Sequence, residues 1–163
     1  MFSTKLIKIA EQVILACERN NLRLVTAESC TGGLISACLT SVSGASKIYH
    51  CGYVTYTNQS KTDLLGVSAE ILNEHGAVSK NVSKLMAIGA ISSGDSDISV
   101  SVTGVAGPNG GTIEKPVGLV HISVARKNFE ILHEKHLFDG NRDTIRLQTV
   151  KSSLALLLKR MES

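Results

Sequence analysis

A serine followed by a pair of glycines is the first feature of this sequence that could carry out chemistry. Ser29 lies in the segment Ala-Glu-Ser-Cys-Thr-Gly-Gly of residues 27–33. A serine hydroxyl becomes a nucleophile when a neighbouring base removes its proton. The backbone N–H groups of a glycine turn at the start of a helix favour an anion, and Thr31 adds a hydroxyl donor. The same pattern also fits Ser29 or Thr31 as a simple helix cap.

A nucleophilic serine needs a base, and Lys61 is the candidate that the sequence offers. It ends the segment Tyr-Thr-Asn-Gln-Ser-Lys of residues 56–61, which leaves a predicted strand and enters a helix. A lysine acts as a base when burial or a nearby positive charge lowers its pKa. A solvated helix lysine is the alternative, and Tyr56 could either stack on a substrate ring or be a half-buried strand residue.

Familiar catalytic motifs do not decide between these interpretations. The sequence contains no G-x-S-x-G, no G-x-x-x-x-G-K-[ST], no G-x-G-x-x-G and no serine followed three residues later by lysine. An α/β-hydrolase, a P-loop nucleotidase and a β-lactamase-type Ser-Lys pair are therefore disfavoured. His133, Glu134 and His136 could suggest a metal site, but they lie in an alternating strand pattern, so we expect none.

Two further segments carry groups that could contact a substrate. Residues 103–111 follow a predicted strand, are rich in glycine, and begin with Thr103 and Gly104. Such glycines permit the close backbone approach that an oxyanion hole or a phosphate nest requires, although a surface loop is the plainer interpretation. Arg142 and Arg146 lie one helical turn apart and could bind a phosphate or carboxylate, or pair with nearby aspartates.

The elements that must position these residues follow from hydrophobic periodicity and turn residues. The pattern predicts helices over 4–19, 34–40, 61–65, 81–92 and 141–160, with a turn over 69–74. It predicts strands over 22–27, 49–57, 98–103, 117–126 and 129–138, of which the last two form a C-terminal antiparallel hairpin. We therefore predict a three-layer α/β/α sandwich with a mixed, mainly parallel sheet. Ligands gather at the carboxyl ends of parallel strands in such a fold, where Ser29 is expected.

Composition limits the classes of protein to which this chain can belong. With 163 residues, 43% of them hydrophobic, and no repeat or linker, the chain is predicted to form a single domain over 1–163. A formal charge of +3, scattered basic residues and few aromatic residues argue against nucleic-acid binding. No apolar stretch approaches the roughly 18 residues of a membrane span. Four cysteines without a C-x-x-C pair indicate the reduced thiols of a cytoplasmic protein.

Four motifs occur along the chain in a distinctive order. Ala-Glu-Ser-Cys-Thr-Gly-Gly at 27–33 is followed by Tyr56-x-Asn58-x-x-Lys61 and then by Leu-Gly-Val at 65–67. Thr-Gly-Val-Ala-Gly-Pro at 103–108 is followed by Gly-Gly at 110–111 and Lys-Pro-Val-Gly at 115–118. Together these motifs resemble those of the CinA C-terminal domain family, the nicotinamide-nucleotide amidohydrolases, and the resemblance covers nearly the whole chain. The loop Thr-Ile-Glu at 112–114 departs from the family pattern, in which a proline is expected.

The resemblance implies a three-layer α/β fold and a reaction of pyridine nucleotide salvage. The carboxamide of nicotinamide mononucleotide would be hydrolysed to nicotinic acid mononucleotide and ammonia, without a metal or another cofactor. Carried over motif by motif, Ser29 would be the nucleophile and Lys61 its base, with Tyr56 nearby. Thr103 and Gly104 would hold the reacting amide or its oxyanion.

The resemblance implies less about the phosphate end of the substrate, for which we expect Thr31, Gly32, Gly33 and Arg142. Glu28 points away from Ser29 in an extended segment, so a structural or orienting role is expected for it. The chain resembles the stand-alone form of the family, and we expect a homodimer or larger homo-oligomer. A non-catalytic pyridine-nucleotide-binding or regulatory module is the alternative, although the presence of Ser29, Lys61 and Tyr56 together favours an enzyme.

Overall fold

Residues 2–162 are described by a computed structural model, in which six α-helices and five strands follow one another. The helices are α1 (Thr4–Arg19), α2 (Leu34–Thr40), α3 (Asn58–Leu65), α4 (Ala69–His75), α5 (Lys80–Gly94) and α6 (Arg142–Glu162). The strands are β1 (Leu24–Glu28), β2 (Tyr49–Val54), β3 (Ile98–Gly104), β4 (Leu119–Arg126) and β5 (Leu132–Leu137). Within this range, no helix combines the length and the apolar content needed to cross a bilayer.

A single five-stranded sheet, in the order β2-β1-β3-β4-β5, organises the described chain. Strand β1 pairs in parallel with β2 and β3, whereas β4 pairs antiparallel with β3 and β5. Four strands therefore run in one direction and β4 runs against them. Glu28 at the end of β1 is in register with Val54 of β2 and Val102 of β3. The carboxyl ends of these three strands consequently meet at one edge of the sheet, which is where the following loops begin.

Helices cover both faces of the sheet and form two apolar cores. On one face, α1, α2 and α6 pack against side chains of the central strands such as Leu24, Val100 and Ile122. On the other face, α3, α4 and α5 enclose a smaller core that includes Val25 and Met86. Alternate residues of β1 enter opposite cores, so this strand is buried along its whole length. Ser29, which directly follows β1, therefore lies at the carboxyl edge of the sheet between the two layers of helices.

A close helix contact fixes α3, the helix that carries Lys61. Gly89 of α5 lies against the carbonyl oxygen of Leu65, the last residue of α3, and a Cβ at position 89 would collide with that oxygen. Glycine thus allows the two helices to approach more closely than any other residue would permit. This contact holds α3 against the second core and keeps Lys61 close to the sheet.

The predicted fold class is confirmed, including the mixed sheet and the C-terminal hairpin of β4 and β5. The main differences lie around the predicted base. Strand β2 ends at Val54 and not at 57, and α3 begins at Asn58 and not at 61. The reason is Thr57, whose side chain accepts the Ser60 N–H and so starts the helix earlier. The turn predicted over 69–74 is a short helix, capped by Ser68.

Candidate active site

Ser29 and Lys61 meet in a cleft at the carboxyl edge of the sheet. Ser29 directly follows β1, and Lys61 stands near the start of α3. Lys61 Nζ lies 3.1 Å from Ser29 Oγ and donates a hydrogen bond of 2.6 Å to the Thr55 carbonyl oxygen. The lysine is fully buried, with an exposed fraction of 0%, and Ser29 is exposed by only 8%. Two residues 32 positions apart in the sequence are thereby brought into hydrogen-bonding contact.

Burial gives Lys61 the properties of a base. Loss of hydration lowers the pKa of Lys61 from 10.5 to about 8, while the neighbouring Cys30 acts weakly in the opposite direction. No carboxylate among residues 2–162 forms an ion pair with this lysine. With such a pKa, roughly a tenth of the side chain is uncharged at pH 7 and has a lone pair that can accept the serine proton.

Cys30 does not compete with Ser29 as a nucleophile, although it adjoins Ser29 and lines the same cleft. Burial raises the pKa of the Cys30 thiol to about 12. The thiol therefore stays protonated at neutral pH, and the reactive thiolate is rare. The hydroxyl of Ser29, held by an amine, is the better nucleophile of the two.

Glu28 is a fully buried carboxylate that closes the turn after Ser29. Its Oε2 accepts hydrogen bonds from Thr31 Oγ1 at 2.7 Å, from the Gly33 N–H at 3.1 Å and from the Ile35 N–H at 2.9 Å. Its Oε1 accepts from the N–H and the hydroxyl of Ser36, at 2.8 and 2.6 Å. Because these donors include the first N–H groups of α2, Glu28 occupies the place that an external anion would take at this helix start.

Replacing Glu28 by glutamine is expected to lower the free energy of unfolding by about 2–4 kcal/mol, because one acceptor oxygen becomes a donor facing Ser36 and the charge is lost. Urea denaturation followed by circular dichroism measures the change. Glu11→Gln, an exposed position on α1, is the matched control and should alter stability by less than about 0.5 kcal/mol. Equal stability of the two variants would contradict the structural role given to Glu28.

The groups expected at the phosphate end of the substrate are already bonded within this turn. The Thr31 hydroxyl and the Gly33 N–H donate to Glu28, and the Gly32 N–H donates to the Ser29 carbonyl oxygen at 3.1 Å. Gly32 and Gly33 have φ values of +60° and +96°, a region that glycine adopts at little cost. The two glycines thus shape the turn, and these three donors are not available to a substrate phosphate in this structure.

Thr103 and Gly104, at the end of β3, form another wall of the cleft. Thr103 Oγ1 donates a hydrogen bond of 2.8 Å to the Ala77 carbonyl oxygen, which holds the turn before α5 against the sheet. A Cβ on Gly104 would lie 2.6 Å from the Leu119 carbonyl oxygen, so glycine is required where β4 approaches. The Thr103 hydroxyl therefore supports the wall in this structure and does not point a free donor at the substrate.

Tyr56 and Arg142 form the outer rim of the cleft. Arg142 Nη1 donates to the Gly107 carbonyl oxygen at 2.7 Å, and its Nη2 donates to the Tyr56 hydroxyl at 3.0 Å. One side chain thereby joins α6, the glycine-rich loop and the segment after β2. Tyr56 is 59% exposed, so its ring is accessible to a planar ligand at the mouth of the cleft.

The cleft has a volume of about 180 Å³. Six of the predicted site residues line it: Ser29, Tyr56, Lys61, Thr103, Gly104 and Arg142. The other three, at positions 31–33, lie in the adjoining turn. Ligand pockets commonly measure roughly 300–1,000 Å³, so this cleft can enclose one ring and its substituent but not a whole nucleotide.

Arg146, which the sequence pairs with Arg142 as a possible anion-binding residue, is a further basic residue beside Ser29. It follows Arg142 by one turn of α6, and its Nη2 donates to the Thr31 carbonyl oxygen at 2.8 Å. Its Nε is buried and has no hydrogen-bond partner among residues 2–162. The four-residue spacing of the two arginines was the available signal, but it could not show which of them reaches the turn after Ser29.

The histidine-rich strand β5 does not assemble the ligands that its sequence could suggest. His136 Nε2 lies 2.9 Å from Glu134 Oε2, whereas His133 Nε2 lies 3.0 Å from His121 Nδ1 of β4. His133 and His136 project from opposite faces of the strand because their positions differ by an odd number. Within residues 2–162, no three His, Cys, Asp or Glu side chains are arranged to hold a metal ion.

Comparison with known proteins places this chain in a family. Residues 6–161 match the model of the CinA C-terminal domain. A protein of Escherichia coli K12 named nicotinamide-nucleotide amidohydrolase PncC is 40% identical over 157 residues, which cover 96% of this chain and 95% of that protein. A relative from Caldicellulosiruptor bescii is 45% identical over 94% of this chain, but the match spans only 37% of that longer protein.

A solved structure has the same fold over the whole chain. The crystal structure of competence/damage inducible protein CihA from Agrobacterium tumefaciens matches with a TM-score of 0.95 and 41% sequence identity. The match covers 100% of this chain and 99% of that one. With the family model matched across nearly every residue and relatives of this identity, the chain belongs to the CinA C-terminal domain family.

Proposed function

We propose that this chain is an amidohydrolase that converts nicotinamide mononucleotide and water into nicotinic acid mononucleotide and ammonia. The observation that carries the proposal is the 3.1 Å contact between Lys61 Nζ and Ser29 Oγ in a buried cleft. An amine with a lowered pKa next to a serine hydroxyl is the arrangement that nucleophilic attack on an amide needs. The reaction itself is suggested by the names of relatives such as the PncC proteins of Escherichia coli and Enterobacter agglomerans.

In the first half of the proposed reaction, Ser29 displaces ammonia from the carboxamide. Uncharged Lys61 takes the proton of the Ser29 hydroxyl while Oγ bonds to the carboxamide carbon. The resulting ammonium of Lys61 then donates a proton to the leaving nitrogen, the C–N bond breaks, and ammonia departs. The product of this half is an ester between Ser29 and the nicotinoyl nucleotide. The Thr55 carbonyl oxygen accepts an N–H of Lys61 throughout, which keeps the lone pair directed at Oγ.

In the second half, water releases the product and restores the enzyme. Lys61 accepts a proton from the attacking water and returns it to Ser29 Oγ as the ester bond breaks. Nicotinic acid mononucleotide is then free to leave. The same amine acts as base and then as acid in each half, so no other titrating side chain is required.

Backbone N–H groups next to Ser29 are the donors we propose for the oxyanion. The amides of Cys30 and Thr31 donate to no carbonyl, carboxylate or hydroxyl oxygen within residues 2–162. The residue after a nucleophile commonly supplies such a donor, because its N–H lies beside the reacting carbon. Glu28 holds the turn that presents these amides. Gly104 keeps β4 close to β3 and so fixes the position of the opposite wall of the cleft.

The rim residues are proposed to bind the ring portion of the substrate. The exposed ring of Tyr56 offers a face on which a pyridine ring can stack, and Arg142 fixes the Tyr56 hydroxyl. Thr103 maintains the opposing turn through Ala77 and so keeps the cleft narrow.

A binding module without turnover is the competing function, because the same cleft could hold the ring of a pyridine nucleotide without hydrolysing its carboxamide. The purified chain should nonetheless release ammonia and nicotinic acid mononucleotide in equal amounts from nicotinamide mononucleotide. Tight binding of the nucleotide by calorimetry, with no ammonia formed over many hours, would establish the binding module instead.

The rate of ammonia release is expected to follow the titration of Lys61. The base must be uncharged, so kcat/KM should rise about tenfold per pH unit below pH 8 and level off above it, because burial lowers the pKa of Lys61 to about 8. A series of rate measurements from pH 6 to pH 10 checks this. A profile that is flat across this range, or that falls as the pH rises through 8, would contradict a lysine base.

We also propose a cellular compartment and an assembly state for this chain. None of the four cysteines forms a disulfide, and three of them are buried, which fits a reducing compartment such as the cytoplasm. A homo-oligomer stays a prediction, and analytical ultracentrifugation of the purified chain decides it.

A further inference from the structure

An arginine without a carboxylate partner lies beside the turn that carries Ser29. Arg146 Nη2 donates to the Thr31 carbonyl oxygen at 2.8 Å and lies 3.3 Å from the position that a Cβ on Gly32 would occupy. Within residues 2–162, no Asp or Glu side chain comes within ion-pair distance of Arg146. Its guanidinium therefore has no carboxylate in direct contact, although it lies beside the candidate active site.

Arg146 also keeps donors that the protein does not use. A guanidinium has five N–H groups, and Nη2 is the one nitrogen of Arg146 with a hydrogen-bond partner in the described chain. Nε is buried and unpaired. Nη1 has no partner within residues 2–162 either, yet it is not among the buried unpaired atoms, so it is open to solvent. Unused donors on a half-buried cation are costly, and a bound anion would satisfy them.

The other charged side chains near the cleft are already bonded within the protein. Glu28 fills the start of α2, and both Nη atoms of Arg142 are bonded to the Gly107 carbonyl oxygen and the Tyr56 hydroxyl. Lys61 is fully buried, and its amine is hydrogen-bonded to Ser29 Oγ. Arg146 is thus the positively charged side chain at this edge of the sheet that still has unpaired N–H donors.

We propose that Arg146 binds the phosphate of the nucleotide substrate and makes the enzyme select the nucleotide over its riboside. The inference rests on the proposed function. Two residues of chain separate the Cα atoms of Ser29 and Thr31 by at most about 7 Å, which puts the guanidinium on the order of 10 Å from the nucleophile. That separation is comparable with the distance from the carboxamide to the phosphate in a mononucleotide. The cleft holds the ring, and the ribose crosses the rim between Ser29 and α6.

The test compares nicotinamide mononucleotide with nicotinamide riboside as substrates of the full chain. The ratio of their kcat/KM values is measured for the wild type, Arg146→Gln, Arg146→Lys and the control Arg19→Gln, an exposed arginine at the end of α1. Arg146→Gln should lower the ratio by about 10- to 100-fold, as expected for loss of a charge-assisted hydrogen bond. The ratio for Arg146→Lys should lie between those of the wild type and Arg146→Gln, because an ammonium supplies charge without the planar fork of a guanidinium. Arg19→Gln should leave the ratio unchanged.

A purely structural role predicts a different result. If Arg146 only clamps Thr31, both substrates lose the same factor and the ratio stays at its wild-type value, which would overturn the proposal. Inorganic phosphate gives a second measurement: it should compete with the nucleotide for the wild type and at least tenfold more weakly for Arg146→Gln.

Failure of the proposed function is distinguishable from failure of this inference. A wild type that releases ammonia from neither compound would reject the reaction. Calorimetric binding of the nucleotide and the riboside to the same four proteins then decides the role of Arg146. A wild-type preference for the nucleotide that Arg146→Gln abolishes supports the phosphate site, and equal affinities in the wild type overturn it.

Discussion

Ser29→Ala is expected to lower kcat for ammonia release from nicotinamide mononucleotide by at least about 10³-fold. The hydroxyl removed is the group held 3.1 Å from the amine of Lys61, and the alanine methyl group cannot form an ester. The rest of the cleft is unchanged, so nucleotide affinity measured by calorimetry should stay within about threefold of the wild type. Loss of turnover with retained binding identifies an interaction made in the reaction and not in the ground state.

Ser92→Ala is the matched control for this prediction. Ser92 is an exposed hydroxyl on α5 that donates to the Ile88 carbonyl oxygen, outside the cleft. Its replacement should leave kcat within about twofold of the wild type, since surface substitutions change stability by less than about 0.5 kcal/mol. Turnover by Ser29→Ala within tenfold of the wild type would show that water, and not Ser29, attacks the carboxamide.

Lys61→Met is expected to remove activity to a similar extent, by at least about 10³-fold in kcat, because no other group replaces the base. Methionine has nearly the length of lysine and is apolar, so it fits a position that is fully buried. The pH dependence of any residual rate should lose the rise toward pH 8. A variant that keeps both its rate and this rise would contradict the role of Lys61.

The same substitution is expected to leave the protein at least as stable as the wild type at pH 7. Burial lowers the pKa of Lys61 from 10.5 to about 8, so at neutral pH the folded protein holds an ammonium in an unfavourable environment, at a cost on the order of 3 kcal/mol. Between pH 8 and 10.5 the folded state releases this proton before the unfolded state does. The free energy of unfolding therefore rises with pH in that window, and the penalty is gone above it.

Chemical denaturation at pH 7 and pH 10 measures this linkage. The difference in stability between Lys61→Met and the wild type should shrink as the pH rises from 7 to 10. Only the wild type has the buried lysine, so only its free energy of unfolding rises as that lysine loses its proton. Lys151→Met, at an exposed position of α6, is the matched control and should show no such change. A Lys61→Met protein that is much less stable than the wild type at pH 7 would mean that the lysine is held by favourable interactions.

The positions of Ser29 and Lys61 show what periodicity and motifs can predict. A short buried strand followed by a glycine pair predicted correctly that Ser29 stands at the carboxyl end of β1. The simple cap interpretation is not supported, because the α2 cap is Gly33, without a side-chain cap hydrogen bond, and Glu28 supplies the acceptors. The burial of Lys61 could not be read from its own segment. It depends on the contact of α3 with Gly89 of α5, which lies 28 residues further along the chain.

The turn at residues 31–33 shows where local pattern fails. Its glycines and hydroxyl predicted a bound anion, and an anion is present, but it is the carboxylate of Glu28. Alternation along β1 predicted that Glu28 points away from Ser29 and has a structural or orienting role, which agrees with its bonds to this turn, but it did not predict that the carboxylate occupies the start of α2. Whether a helix start is filled by a side chain of the protein or by a ligand depends on side-chain direction in three dimensions, which a spacing rule does not contain.

The spacing of Arg142 and Arg146 was informative but incomplete. Residues four apart on a helix share a face, so the two arginines could reach one ligand or could instead pair with nearby aspartates, and only Arg142 was assigned to the phosphate. In the structure Arg142 donates to the Gly107 carbonyl oxygen and the Tyr56 hydroxyl, and Arg146 donates to the Thr31 carbonyl oxygen in the turn after Ser29. The distinction arises from the glycine-rich loop, whose path over the cleft no local sequence rule predicts.

Partitioning of an acyl-enzyme tests the central claim most directly. Nicotinamide mononucleotide and the methyl ester of nicotinic acid mononucleotide are each incubated with the wild type and hydroxylamine, and the ratio of hydroxamate to acid is measured by mass spectrometry. If both pass through the same ester on Ser29, the ratio is the same for the two substrates at every hydroxylamine concentration. Different ratios for the amide and the ester would show that water and hydroxylamine attack the substrate itself, and Ser29 would then not be the nucleophile.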